Sequence, residues 1–170
     1  MAEKIPATEN ASPPEAKILE LSKSKEEIRN AQDRCIYILK NLKCQENSEE
    51  YQKLESLLKQ YPDLIHGTDN EGRTLLIHAV LFRREDVIVF LLKRNCPLDI
   101  QDCEGNTALS HAVQKGYLEA VVLLLYGGAN PNIYNKKGFK AYDLACDLID
   151  QNIASVILYF HPSSRLDKEK

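Results

Sequence analysis

Gly72, Gly105 and Gly138 stand 33 residues apart, and this spacing constrains the fold of the chain more than any other feature. The register extends well beyond the glycines. Asp69 and Asp102 precede the first two by three residues, and Thr74 and Thr107 follow them by two. Ala79, Ala112 and Ala145 follow all three by seven, and Leu91-Leu92, Leu124-Leu125 and Ile157-Leu158 continue the series. Laying 69–101 on 102–134 matches 12 of 33 positions, His78 with His111 and Val80 with Val113 among them. A unit this short cannot bury a core alone, so units that share a register must stack.

Inside each unit the apolar spacing is helical. Leu109, Ala112 and Val113 form an i, i+3, i+4 stripe, whereas 118–125 is apolar nearly all round and needs cover on more than one side. Small alanines on the first helix let the second approach closely. Thr74 and Thr107 are placed to cap the first helices, and Asn95 and Gly128 fall just past the second ones, where a left-handed residue is wanted. Arg83 occupies the position of Gly116, so the turn there is either rebuilt or strained by about 1 kcal/mol.

The run Asp102-Cys-Glu-Gly-Asn-Thr-Ala-Leu-Ser-His-Ala112, continued from Gly116 to Ile133, resembles the ankyrin repeat over 69–160, reaching back to about residue 48. The resemblance implies an all-α solenoid of stacked helix-turn-helix units with turn or hairpin fingers. Its units are 69–101, 102–134 and a carboxy-terminal capping unit, 135–161. The family's histidine after the capping threonine is replaced by Ile77, Ser110 and Asp143, which removes that residue's link between neighbouring units.

The ends are atypical. Residues 1–16 read as a disordered tail and 162–170 as a charged one. Residues 17–68 read as a degenerate first unit, a long helix over 17–44 and a second over 48–61 that Pro62 stops. Leu21, Ile28, Cys35 and Leu42 recur at sevens, so the long helix either caps the stack or dimerises as a coiled coil. Asp143, Asp147, Asp150, Gln151, Asn152 and Ser155 give the last unit a polar exterior.

Catalytic chemistry is not legible. The five cysteines form no CxxC pair, which argues against a zinc site or disulfide framework and for a reduced, cytoplasmic or nuclear setting. No metal or cofactor is implied. Gly127-Gly128 follows a helix instead of opening one, so it is no phosphate loop. His78 and His111 could bind metal or sense pH, but read better as partly buried residues with backbone partners. A net charge of −3 with interleaved signs disfavours nucleic acid, and no apolar run is long enough for membrane insertion.

The resemblance implies a protein partner held in a concave groove by finger tips and first-helix ends. Mapped onto this chain, the candidate surface is Asn70, Glu71, Arg73, Cys103, Glu104, Asn106, Lys136, Lys137 and Phe139, with Gln101 and Tyr134 closing the hairpins. Leu81, Phe82, Gln114 and Lys115 end the first helices. Apolar Leu81, Phe82, Tyr134 and Phe139 are either interface anchors or cover for their own turns. The function expected is a non-catalytic adaptor or inhibitor, with an IκB-like regulator of a transcription factor as one alternative. The other is an oligomeric scaffold built through the 17–44 helix.

Overall fold

The computed structural model describes residues 14–41 and 49–160. Among them eight α-helices follow one another: α1 (Pro14–Asn41), α2 (Glu49–Gln60), α3 (Leu75–Leu81), α4 (Glu85–Leu92), α5 (Ala108–Gln114), α6 (Leu118–Tyr126), α7 (Ala141–Asp147) and α8 (Gln151–Phe160). A 3-10 turn, Pro62–Ile65, leads out of α2. Helices α1, α3, α5 and α7 pack side by side in one row, and α4, α6 and α8 in a second behind it. The expected tail residues 1–13 and 162–170, His161 at the end of the expected last unit, and Leu42 and Cys44 lie outside the described residues. Pro14 to Ala16, expected in the tail, open α1 instead; proline is tolerated in a first helical turn because its missing N–H has no helical partner there.

The local signals act as their chemistry requires. The Thr74 and Thr107 hydroxyls accept from the N–H of Ile77 and Ser110 at 3.2 and 3.3 Å. Lys140, at the third equivalent position, cannot accept, and Asp143 compensates by accepting from the Lys140 N–H at 2.9 Å. The helix-to-helix turn is the same in all three units. Arg83, Gly116 and Ile149 take φ of 54°, 58° and 55°, and the next N–H reaches back to the carbonyl of Ala79, Ala112 or Ala145 at 2.8, 2.9 and 3.2 Å. The turn at Arg83 is therefore kept and not rebuilt. Its strain is offset by an Arg83 Nη2 bond to the Lys115 carbonyl at 2.7 Å and by the Tyr117 ring 5.0 Å away. Ile149, 83% exposed, has no such contact among the described residues.

The core is one continuous cluster from α1 to α8. Ala79, Ala112 and Ala145 are fully buried in register, as are Leu91, Leu124 and Ile157 nearly so. Helix α1 packs against α2 and α3: Ala31, Cys35 and Leu39 are buried against the rest of the chain, and Ile28 packs beside them. Burial pushes the Cys35 thiol up to about 11, so it packs as a small apolar group. Arg84 fixes the end of α1 by donating to the Leu39 and Lys40 carbonyls at 3.0 and 3.3 Å, where a cation suits the helix dipole. At the opposite end Asp147, Gln151, Asn152 and Ser155 are exposed as expected, but apolar side chains share that exterior. Positions that bury Leu76 and Leu109, Val80 and Val113 in inner units hold Tyr142 and Cys146 there, and both are exposed, as is Leu158. Among the described residues no further helix pair stacks on this face.

Candidate functional site

Each finger is built by one side chain. The carboxylate or amide oxygen Oδ1 of Asp69, Asp102 and Asn135 accepts two backbone N–H bonds from its own loop, at 2.8 to 3.0 Å. Neighbouring fingers are then tied main chain to main chain. The N–H of Cys103 donates to the Glu71 carbonyl at 2.8 Å, and that of Lys136 to the Glu104 carbonyl at 3.0 Å. Gln101 reinforces the second junction, donating to the Gly105 and Tyr134 carbonyls at 2.7 and 2.9 Å. These bonds link neighbouring units where the family's histidine is missing.

The two histidines have carboxylate partners, not the backbone partners expected. His78 Nε2 lies 2.9 Å from Asp69 Oδ2 and His111 Nε2 lies 2.7 Å from Asp102 Oδ2. Each finger aspartate thus holds its loop with one oxygen and the helix behind it with the other. An ionised carboxylate only accepts, so Nε2 carries the proton, and the enclosed His78 Nδ1 has no partner among the described residues. Burial accordingly holds the His78 imidazole below its ordinary value, against the pull of Asp69. Burial alone would raise the Asp69 carboxyl. The N–H groups of Arg73 and Glu71 and the side chains of His78 and Arg73 overcome it and hold that carboxyl low.

The sign of the resulting pH dependence follows. Folded His78 resists a proton that the unfolded chain accepts as pH falls through about 6.5, so its stabilisation is present above that pH and lost below it. Lowered Asp69 acts in the same direction, its contribution being lost in a more acidic window. Urea unfolding at pH 7 and pH 5 should show the chain less stable at pH 5. His78→Gln, which keeps a donor for Asp69, should flatten that difference. An unchanged difference in the variant would show that His78 does not carry it.

The candidate partner residues separate into two groups. Glu104, Asn106, Gln114, Lys137 and Phe139 line one cleft of about 240 Å³ between the second and third fingers, together with Asn135, Leu144 and Asp147. Tyr134 and Phe139 are 57% and 37% exposed, and Lys140 Nζ sits 4.9 Å from the Tyr134 ring centre. Lys136, Lys115, Gln101, Asn70 and Cys103 are exposed around the fingers and helix ends. Asn106 corrects the surface expectation, being only 2% exposed. Its Oδ1 is held by Gln114 and Asn135 at 3.3 and 3.0 Å, so it forms the floor of the cleft. Arg73 is half-buried and paired with Asp69 and Glu71 at 3.1 and 2.9 Å. Leu81 and Phe82 pack against the core, Phe82 stacking on the His78 ring at 5.9 Å.

Leu144 and Asp147 were not among the expected groove residues. They lie on α7 opposite the second finger, a position that shows only once the units are stacked. Among the described residues no three His, Cys, Asp or Glu side chains converge as a metal site, and no helix is long and apolar enough to cross a membrane.

A family profile described as ankyrin repeats, three copies, matches residues 42–135 and again 89–164. An ankyrin repeat protein of Acanthamoeba polyphaga mimivirus is 42% identical over 76 residues, 44% of this chain and 18% of its own length. Palmitoyltransferase Hip14 of Drosophila melanogaster is 37% identical over 75 residues, 44% of this chain and 12% of its own. Potassium channel AKT2/3 of Arabidopsis thaliana is 34% identical over 108 residues, 61% of this chain and 12% of its own. The chain thus spans under a fifth of the length of these relatives, and what it shares with them is a stretch of repeats.

Proposed function

The chain belongs to the ankyrin-repeat family, and on that premise we propose that it is a non-catalytic protein-binding module, an adaptor or inhibitor that holds a polypeptide along its concave groove. Repeats of this kind generally mediate protein–protein interaction. The observation that carries the finer reading is the cleft between the second and third fingers. It combines an amide floor, an exposed aromatic ring at Phe139 and charges of both signs at Glu104, Lys137 and Asp147. Such a surface suits a polar segment with one apolar anchor. A monomer acting in the cytoplasm or nucleus, without nucleic acid, is the form we assign. Burial of Cys35 and Leu39 inside the same chain supports a monomer over assembly through α1.

The test uses Tyr134→Ala with Phe139→Ala, both solvent-facing, in affinity capture from cell extract followed by mass spectrometry. A partner retained by the wild type should be lost, with Tm changed by no more than about 2 °C, as surface substitutions predict. Retention of every partner would overturn the groove reading. Phe82→Ala is unsuitable as the probe, since its stacking on His78 makes stability and binding change together.

A further inference from the structure

A second cleft, of about 260 Å³, lies where α1 faces the first finger. Like the cleft described above, it lies between a first-row helix and a finger. Its lining comes from Lys25, Ile28, Arg29, Gln32 and Asp33 on α1 and from 68–70 on the finger. Positions 25, 28, 29 and 32 follow i, i+3, i+4, i+7 spacing, so they form one stripe along the helix.

Three features of the stripe are unusual. Lys25 and Arg29 are like charges at i, i+4, which repel. Arg29 Nη2 donates at 3.0 Å to the neutral Asn70 Oδ1, and among the described residues no carboxylate lies within ion-pair distance of either cation. Gln32 is only 8% exposed, yet its Nε2 has no acceptor among the described residues. An enclosed N–H donor without a partner is costly to keep, and here it belongs to a residue that lines a cleft with two cations. The lining balances two cations against two acids, but Asp69 is committed to Arg73, His78 and its own loop, which leaves Asp33 alone to answer Lys25 and Arg29.

We propose that this cleft is a carboxylate-binding subsite, taking an aspartate or glutamate side chain of the polypeptide that lies along the first-row helices. The inference rests on the groove reading for the direction of the partner, and on the Lys25, Arg29 and Gln32 donors for its chemistry. A carboxylate brings two acceptor oxygens, enough to engage the Arg29 guanidinium and the Gln32 amide together, with Lys25 at the outer edge. The groove then reads differently at its two ends, acid-accepting at α1 and mixed with an aromatic anchor at the third finger.

The experiment is an NMR titration of the full, nitrogen-15-labelled chain with acetylated, amidated tetraglutamate, with tetraglutamine as control. The side-chain amide of Gln32 and the Nε–H of Arg29 should shift together on one saturating curve with tetraglutamate and stay in place with tetraglutamine. Arg29→Gln should weaken binding about tenfold, as expected for one charge-assisted hydrogen bond. Gln32→Leu should weaken it as well while leaving Tm unchanged or higher, because the leucine removes an orphaned donor. A purely structural Gln32 predicts the reverse, a lowered Tm with unaltered titration, and that result overturns the proposal. So does an Arg29→Gln titration like the wild type's, or displacement of tetraglutamate by inorganic phosphate at lower concentration. Partner loss in the Tyr134/Phe139 variant without any response at Gln32 sinks the subsite alone. A Gln32 response with partner capture intact in that variant sinks the groove reading and keeps the anion site.

Discussion

Gly105→Ala should destabilise the chain by about 3 kcal/mol, combining the left-handed backbone penalty with steric overlap at a packed junction. Gly105 has φ +79°, and a Cβ added there would stand 2.7 Å from the Lys136 N and 3.1 Å from the Asn135 Cα. Both neighbours are backbone of the next finger, pinned by the bond from Lys136 N–H to the Glu104 carbonyl, so neither can rotate away. Gly138 supplies the control within the same molecule. Its φ is +80° and nothing lies within 4 Å of its added Cβ, so Gly138→Ala should cost only about 1 kcal/mol. Urea unfolding of the two variants measures the difference, which belongs to finger-on-finger contact alone. Equal losses would mean that the fingers are not held as close as their hydrogen bonds imply.

Leu39→Ala should cost about 3 kcal/mol, the usual loss for truncating a fully buried leucine. The side chain is wholly enclosed near the end of α1, and the Leu39 carbonyl receives Arg84 at 3.0 Å from the next helix pair. The variant also decides how α1 is used. Leu39 is not on the stripe of sevens that runs through Ile28 and Cys35. For a cap, its loss should lower the unfolding midpoint by the same amount at every protein concentration. For a dimerising helix the midpoint should rise with concentration, and Leu39 should matter little. A concentration-dependent midpoint in the wild type would return the scaffold reading to first place.

Much of the fold was legible because repetition makes each unit a check on the others. Thr74 and Thr107 could be assigned as caps because both precede an apolar helical stripe by the same step. The left-handed turn could be placed at Arg83 because Gly116 marks it one unit later; the structure adds that Ile149 repeats it in a third, less suitable residue. The Asp–His pairs stand nine residues apart in both units, but that spacing does not mark them as partners, because a finger aspartate reaches the helix histidine only after the loop has folded back. Asn106 failed for a related reason. Its position marks it as a loop residue, but burial depends on the next finger lying over it, and that is set by Asn135 from another unit.

The sequence by itself determined the 33-residue unit, its two helices, the caps and turns between them, and the all-α stacked architecture. These depend on interactions spanning no more than a few residues, and each is written three times. Tertiary structure alone decided which residues of α1 face inward, how the last unit's outer face is exposed, and which side chains meet in the two clefts. Those outcomes turn on contacts between residues about 30 to 45 positions apart, as in Arg83 to Lys115, Arg29 to Asn70 and Arg84 to Leu39. The local pattern places every residue within its own unit, whereas the side chains of the neighbouring unit settle whether it is buried, paired or left open to a partner.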